Sequence, residues 1–332
     1  MPRLSRNKFT KLLKERPFEN ITVINLIEGF LRKKRGCVIR IPNKGTNIIH
    51  LVSGGIDSIV TWAMLMEKYG LRVHPISLKT GQKRHIYELE SLKFYSGYFK
   101  KKYPKLFVEP FDITYLSSPP EIASRMRYDI ENNVHPQILK EKYDPETNTI
   151  RITRKYLFPA FVPFPAARCA LFFDMQRNLK MRTISMSVLP SDGLYNESQT
   201  LTALRGTMLG LCTFTNDYRW QIFSPCFERE LGSIMTKSDL IKLAEAYRLP
   251  LGHTYSCFRA TPRNCGTCLA CEVRRRAFTE AGVKDPTIYE EDNRSFFKLI
   301  QKNLVPLKEK IHKVTGGRSR KKPRIIIKDY TY

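Results

Sequence analysis

"IIHLVSGGIDSIVTWAMLMEKYG", residues 48–70, sets a strand-like apolar run, Ile48–Val52, directly before Ser53-Gly54-Gly55-Ile56-Asp57-Ser58. A helix-like run, Ser58–Tyr69, follows, and Gly70 ends it. Two adjacent glycines at the handover from strand to helix open a gap in the side-chain wall. In an open parallel sheet, ligands bind beyond the carboxyl ends of the strands. Glycines there let backbone amides come close to an anion, and the helix N-terminus adds its positive end and its unpaired N–H groups. Ser53 and Ser58 are candidate hydroxyl donors. Asp57 repels a phosphate unless it holds a magnesium ion or orients the loop through amides. An ordinary strand-to-helix turn uses the same residue types, so a bare glycine pair does not choose between turn and binding loop.

The surrounding pattern favours a sheet. After the first unit come a strand over Arg72–Leu78, a helix over Glu88–Lys102 and a strand over Lys105–Ile113. Two more strands are expected at Thr183–Leu189 and Arg219–Phe223. Strands separated by helices of this length imply crossovers, and hence a doubly wound α/β fold with a parallel sheet. Thr236-Lys237-Ser238-Asp239 opens a further helix with a capping box. Residues 117–160, with Ser117-Ser118-Pro119-Pro120 and Tyr143-Asp144-Pro145, break the alternation and read as an insertion or lid over the binding edge.

The chain of 332 residues carries a formal charge of +26, concentrated at its ends. Residues 1–47 hold twelve Lys/Arg against three Asp/Glu, and residues 301–332 ten against two. Residues 1–47 read as a basic helical extension and 301–332 as a basic tail, around a main domain over 48–256. Such charge attracts nucleic acid or an acidic protein, or is solvated surface without a dedicated partner. No apolar stretch is long enough to span a bilayer, and the N-terminus lacks the apolar core of a signal peptide. The reading is a cytoplasmic protein, in which eight cysteines suggest metal or thiol chemistry over disulfides.

"CFRATPRNCGTCLAC" places Cys257, Cys265, Cys268 and Cys271 in a C-terminal part spanning 257–300. Interlocking C-x-x-C steps around a turn suit a closed tetrahedral zinc site, structural because it has no open position. An iron–sulfur cluster, a redox pair and chance proximity are the alternatives, since ligand softness does not choose the metal. Cys37, Cys169, Cys212 and Cys226 lack such spacing and read as small buried side chains.

Ser53–Ser58 resembles the Ser-Gly-Gly-x-Asp-Ser signature of the PP-loop ATP pyrophosphatases of the adenine nucleotide α-hydrolase type. Together with the terminal cysteine spacing, it resembles the 7-cyano-7-deazaguanine synthase (QueC-like) family of queuosine biosynthesis. Gly81-Gln82-Lys83-Arg84-His85-Ile86-Tyr87-Glu88-Leu89 is similar to a family segment after the second strand, with one extra residue. Ser224-Pro225, Thr236–Leu240 and Thr254-Tyr255-Ser256-Cys257 follow in the family's order. The resemblance covers about residues 48–290. It implies ATP bound at Leu51, Val52, Ser53, Gly54, Gly55, Ile56, Asp57, Ser58, Gly81 and Gln82, with Mg2+, and structural Zn2+ at the four cysteines. Asp57, Ser58, Arg84 and His85 become the expected catalytic group, Arg84 neutralising developing pyrophosphate.

The implied reaction is adenylation of 7-carboxy-7-deazaguanine and amination by ammonia to 7-cyano-7-deazaguanine. Arg168, Asp192, Tyr195 and Glu197 are the expected substrate residues. They lie in stretches, Phe161–Arg168 and Asp192–Glu197, that depart from the family's pattern. Two other readings stand beside this one. One is a relative from antiphage-defence clusters that passes an activated deazaguanine to an amine on a protein or nucleic acid. The other is a tRNA-modifying PP-loop protein.

Overall fold

Strand β1, Asn47–Val52, is the middle strand of a five-stranded sheet. In the computed structural model, which describes residues 3–79, 82–114, 142–144, 149–151, 162–194, 196–290 and 324–325, it is followed by α3, Ile56–Glu67. Ten of the twelve α3 residues are buried, which matches its nearly unbroken apolar run. The chain continues through β2, Arg72–Lys79, α4, His85–Lys102, and β3, Phe111–Thr114. It resumes with α5, Pro163–Arg177, β4, Thr183–Ser185, α6, Leu201–Thr215, and β5, Gln221–Phe223. The sheet order is β3-β2-β1-β4-β5, and every neighbouring pair is parallel. β1 pairs β2 from Asn47 opposite Arg72 to Val52 opposite Ser77, and pairs β4 with His50 opposite Ser185. This is the doubly wound α/β fold expected from the alternation of strands and helices. Because the order reverses direction between β1 and β4, the crevice at their carboxyl ends is the topological switch point.

A short hairpin, β6 (Phe227–Glu228) with β7 (Ser233–Ile234), leads into α7, Lys237–Ala246, and later α8, Leu269–Ala281. The capping box at Thr236 is formed. The Thr236 hydroxyl accepts from the Asp239 amide at 3.1 Å, and the Asp239 carboxylate accepts from the Thr236 amide at 2.9 Å.

The basic N-terminal residues are built into the same core. Phe9 and Leu13 of α1, Arg6–Lys14, and Ile24, Ile27 and Leu31 of α2, Ile21–Arg35, join the main apolar cluster. Glu28, fully buried, accepts from Arg205 (3.0 Å), Arg229 (2.6 Å), Arg6 (2.9 Å) and Arg32 (3.3 Å). Arg205 also forks onto Glu228, at 3.1 and 2.5 Å. Burial opposes ionisation of Glu28, but the arginines outweigh it and hold the carboxyl below its ordinary range. Arg35 is likewise committed, donating to the carbonyls of Cys37, Val38, Tyr218 and Trp220. Part of the positive charge expected to face a polyanion is therefore spent inside the fold.

The expected insertion 117–160 lies outside the described residues except for Lys142–Asp144 and Thr149–Arg151, which pair antiparallel. The expected tail 301–332 lies outside them except for Arg324–Ile325. Among the described residues no helix is long and apolar enough to cross a membrane.

Candidate active site

The glycine gap is a tight passage. Gly54 has φ +73°, and a Cβ there would meet the Glu88 carbonyl oxygen at 2.7 Å and the Ser91 Cβ at 3.1 Å. Its own carbonyl accepts from the Ser91 hydroxyl (2.8 Å) and from the Tyr255 amide (2.9 Å). Gly54 thus lets the loop lie against α4 and against the segment leading to the cysteines. Gly55 is different. It is the N-cap of α3 with extended backbone and no capping side chain, and a Cβ there would find only ordinary contacts at 3.5 Å or more. The first-turn amides of α3 have no acceptor within the helix and no cap in front of them, so this end is open to an anion. Ser58, almost fully buried, braces the loop: its hydroxyl accepts from the Ser53 amide at 3.2 Å and donates to the Gly55 carbonyl at 3.0 Å.

At the mouth of the loop stands a group with a cation between carboxylates. Lys237 Nζ lies 2.9 Å from Asp57 Oδ2, while Asp57 Oδ1 is buried without a hydrogen-bond partner. Asp192 accepts from the Leu189 amide at 2.8 Å. Burial and the neighbouring Asp57 push the Asp192 carboxyl up to about 6. For Lys237, burial acts downward, but Asp57 and Asp192 together raise it above its ordinary value. The capping box explains the placement, because it fixes Lys237 as the first residue of α7. Two carboxylates, one with an unpartnered oxygen, form a donor set of the hard kind that suits a magnesium ion. The sequence reading took Thr236–Leu240 as a helix start and as a stretch in the family's order, and gave Lys237 no role. A lysine at the first position of a capped helix after the last strand was the available signal.

Arg84 and His85 stand at the head of α4, engaged with acidic neighbours. Arg84 Nε lies 2.8 Å from Glu88 Oε1, and the guanidinium sits over the Phe258 ring at 5.2 Å. His85 is buried, with Nε2 3.1 Å from Asp112 and Nδ1 3.6 Å from Glu88. The nearby Glu88 carboxylate raises its pKa against the opposing effect of burial, with Asp112 adding to the rise. Gln82 donates to the Leu78 carbonyl and to Glu88, at 3.1 and 3.2 Å. These residues fix the first turns of α4, whose Glu88 carbonyl and Ser91 side chain wall in Gly54. Among the expected substrate residues, Asp192 joins the Asp57 group. Arg168 is exposed on α5, and Glu197 begins the 3-10 turn Glu197–Gln199. Gly81 and Tyr195 lie outside the described residues.

The four cysteines come together. Their sulfurs all lie within 4.8 Å of one another, and all four side chains are buried. Individual separations are 3.5 Å (Cys268–Cys271), 3.9 Å (Cys265–Cys271) and 4.0 Å (Cys257–Cys268). Four sulfurs about 2.3 Å from one central ion in a tetrahedron would stand ~3.8 Å apart. Backbone amides of Cys265 and Phe258 approach Cys257 and Cys268 at 3.5 Å each, supplying N–H groups to thiolates. The residues fit a metal ion. The knot is joined to the loop through Tyr255, two residues before Cys257. Buried Arg274 of α8 holds that segment through Thr254 (2.7 Å), Ser256 (3.2 Å) and the Leu251 carbonyl (2.9 Å).

Comparison with known proteins points to one group of relatives. The family described as "Queuosine biosynthesis protein QueC" matches residues 219–282. A 7-cyano-7-deazaguanine synthase of Thermoplasma volcanium is 27% identical over 78% of this chain and 95% of its own length. One from Picrophilus torridus is 28% identical over 78% of this chain and 97% of its own. A third, from Methanothrix thermoacetophila, is 45% identical over a shorter stretch, 17% of this chain and 25% of its own. In its doubly wound sheet, its Ser-Gly-Gly-x-Asp-Ser loop at the switch point and its four-cysteine knot, the chain is similar to the 7-cyano-7-deazaguanine synthases it matches.

Proposed function

We propose that this chain is an ATP-dependent carbon–nitrogen ligase that activates the carboxylate of 7-carboxy-7-deazaguanine and aminates it. The observation that carries the reading is the Gly54 passage at the switch point, with Asp57, Lys237 and Asp192 gathered at its mouth. The open first turn of α3 receives the phosphates of ATP. A substrate carboxylate oxygen attacks the α-phosphorus, the α–β bridging bond breaks, and pyrophosphate leaves. Lys237, 2.9 Å from Asp57 at the mouth of the loop, would offset charge on the leaving pyrophosphate. Asp57 and Asp192 would hold Mg2+, which when bound would neutralise charge on the triphosphate. Ammonia then attacks the acyl carbon and AMP departs, leaving the primary amide. The amide oxygen attacks the α-phosphorus of a second ATP, and a second pyrophosphate leaves. Loss of AMP and of the amide protons then gives the nitrile. The cysteine knot would hold Zn2+ in a closed, structural role, since the sulfur separations leave room for one ion.

The test is mass spectrometry of products from 7-carboxy-7-deazaguanine, ATP, Mg2+ and ammonia. Pyrophosphate, AMP, amide and nitrile are expected. Release of ADP and phosphate would overturn the chemistry. An acyl-adenylate that ammonia never converts, while a protein or nucleic acid gains the deazaguanine mass, would replace ammonia by a macromolecular amine.

A further inference from the structure

His50 lies in the middle of β1, fully buried, and the reaction described above does not use it. Its ring touches both sides of the switch point. Nε2 is 3.0 Å from the carbonyl of Ser58, in the first turn of α3, and Nδ1 is 3.3 Å from the carbonyl of Ser185, the last residue of β4. One partner belongs to the turn that carries Asp57 and braces Ser53 and Gly55. The other ends the strand from which the chain runs through Leu189 to Asp192. The Ser58 carbonyl is also the natural acceptor of the helix amide four residues on, so the imidazole is an additional donor there and not a substitute for the helix bond.

We propose that His50 is a positioning residue for the phosphate loop, a strut beneath the switch point that sets the first turn of α3 against the end of β4 and so the Asp57 side of the site against the Asp192 side. This rests on the reading of Ser53–Ser58 as the ATP loop. Burial pushes the imidazole down to about 4, so the ring is neutral at ordinary pH and has a single N–H. The shorter contact assigns that hydrogen to Nε2, donated to Ser58. Nδ1 then turns a lone pair toward the Ser185 carbonyl. The grip is on the loop, and the contact with β4 is one of spacing. An aliphatic side chain of similar bulk would keep the spacing and lose the grip.

The experiment compares wild type, His50→Leu and His50→Gln in titration calorimetry with ATP and Mg2+, alongside melting temperature and pyrophosphate release. His50→Leu is expected to weaken ATP binding about tenfold or more and to change turnover at saturating ATP far less. His50→Gln, which keeps a donor, should recover most of the affinity. A folded His50→Leu that binds ATP like wild type overturns the proposal, as does a glutamine variant no better than leucine. Should His50→Leu fail to fold, 15N spectra of histidine in the wild type decide. The Nε2–H signal of His50 should move when ATP binds, and an unmoved signal refutes the role. Wild type that binds no ATP would sink the loop assignment and His50 with it. Binding by wild type with unaffected variants would sink His50 alone.

Discussion

Gly54 and Gly55 are neighbours in sequence with opposite demands. At Gly54 the backbone is left-handed, and a Cβ would press on the Glu88 carbonyl at 2.7 Å. Left-handed backbone alone costs an ordinary residue about 1–2 kcal/mol, and the contact adds to it. Gly54→Ala is therefore expected to lower the melting temperature in the absence of any ligand. Gly55 has room for a side chain inside the protein, so Gly55→Val should melt close to wild type yet fail to bind ATP, because the added methyls stand before the open helix end. Calorimetry and a melting curve separate the two, and equal melting losses would refute the distinction. Asp192 gives a pH test. Its folded pKa of about 6 lies above the ordinary 3.8, so proton uptake favours the fold below that range, and the preference is lost as pH rises through about 6. The ionised carboxylate is the form that binds a cation. Mg2+-dependent ATP binding should rise through pH 6, and Asp192→Asn should remove that inflection while leaving ATP binding weak at every pH. An inflection that survives the substitution belongs to another group.

Elements differ in how plainly the sequence announces them. The unit β1–loop–α3 was legible because a short apolar run, a glycine pair and a long apolar helix have few other packings. The cysteine knot was legible from spacing alone. α6 was obscured by Gly206 and Gly210, which weaken any helical reading of Leu201–Thr215. The strand expected over Lys105–Ile113 begins only at Phe111, after Pro110, which lacks the amide a ladder needs. The Asp57–Lys237–Asp192 group was invisible as a group because its members are scattered along the chain and meet only when the sheet closes. The bond from the Tyr255 amide to the Gly54 carbonyl links knot to loop, so the metal should matter to both stability and nucleotide. Stripping the metal with a chelator, or Cys268→Ser, is expected to lower the melting temperature and also to weaken ATP binding, since a structural site contributes folding energy directly. Metal analysis should find one zinc per chain. A metal-free protein that still binds ATP at full affinity would show that Tyr255 is held without the knot.

For the whole molecule, charge gave the least reliable guide. A strongly basic N-terminal stretch reads as an extension whose charge faces a polyanion or only solvent, yet its helices close the core. Glu28 brings Arg6 and Arg32 of the N-terminal helices to Arg205 and Arg229 of the sheet domain, and Arg205 carries Glu228 with it. Glu230 adds a second tie, 2.7 Å from Arg32 and 3.1 Å from Arg6. Composition cannot separate a lysine in solvent from an arginine folded against a buried carboxylate. Removing residues 1–44 would strip Glu28 from Arg205 and Arg229 and expose the apolar surface that Phe9, Leu13, Ile24 and Leu31 cover. Breaking a buried ion pair by removing one partner costs about 3–5 kcal/mol, a large fraction of a domain's stability. The truncated chain is expected to be insoluble or unfolded, and Glu28→Gln alone should lower the urea midpoint with an unchanged slope. Because Glu28 is held below its ordinary pKa, its contribution is present above about pH 4.5 and fades as pH falls through the folded value. The gap in urea midpoint between wild type and Glu28→Gln should therefore narrow on acidification. A truncated protein that folds and releases pyrophosphate would return α1 and α2 to the status of an appendage.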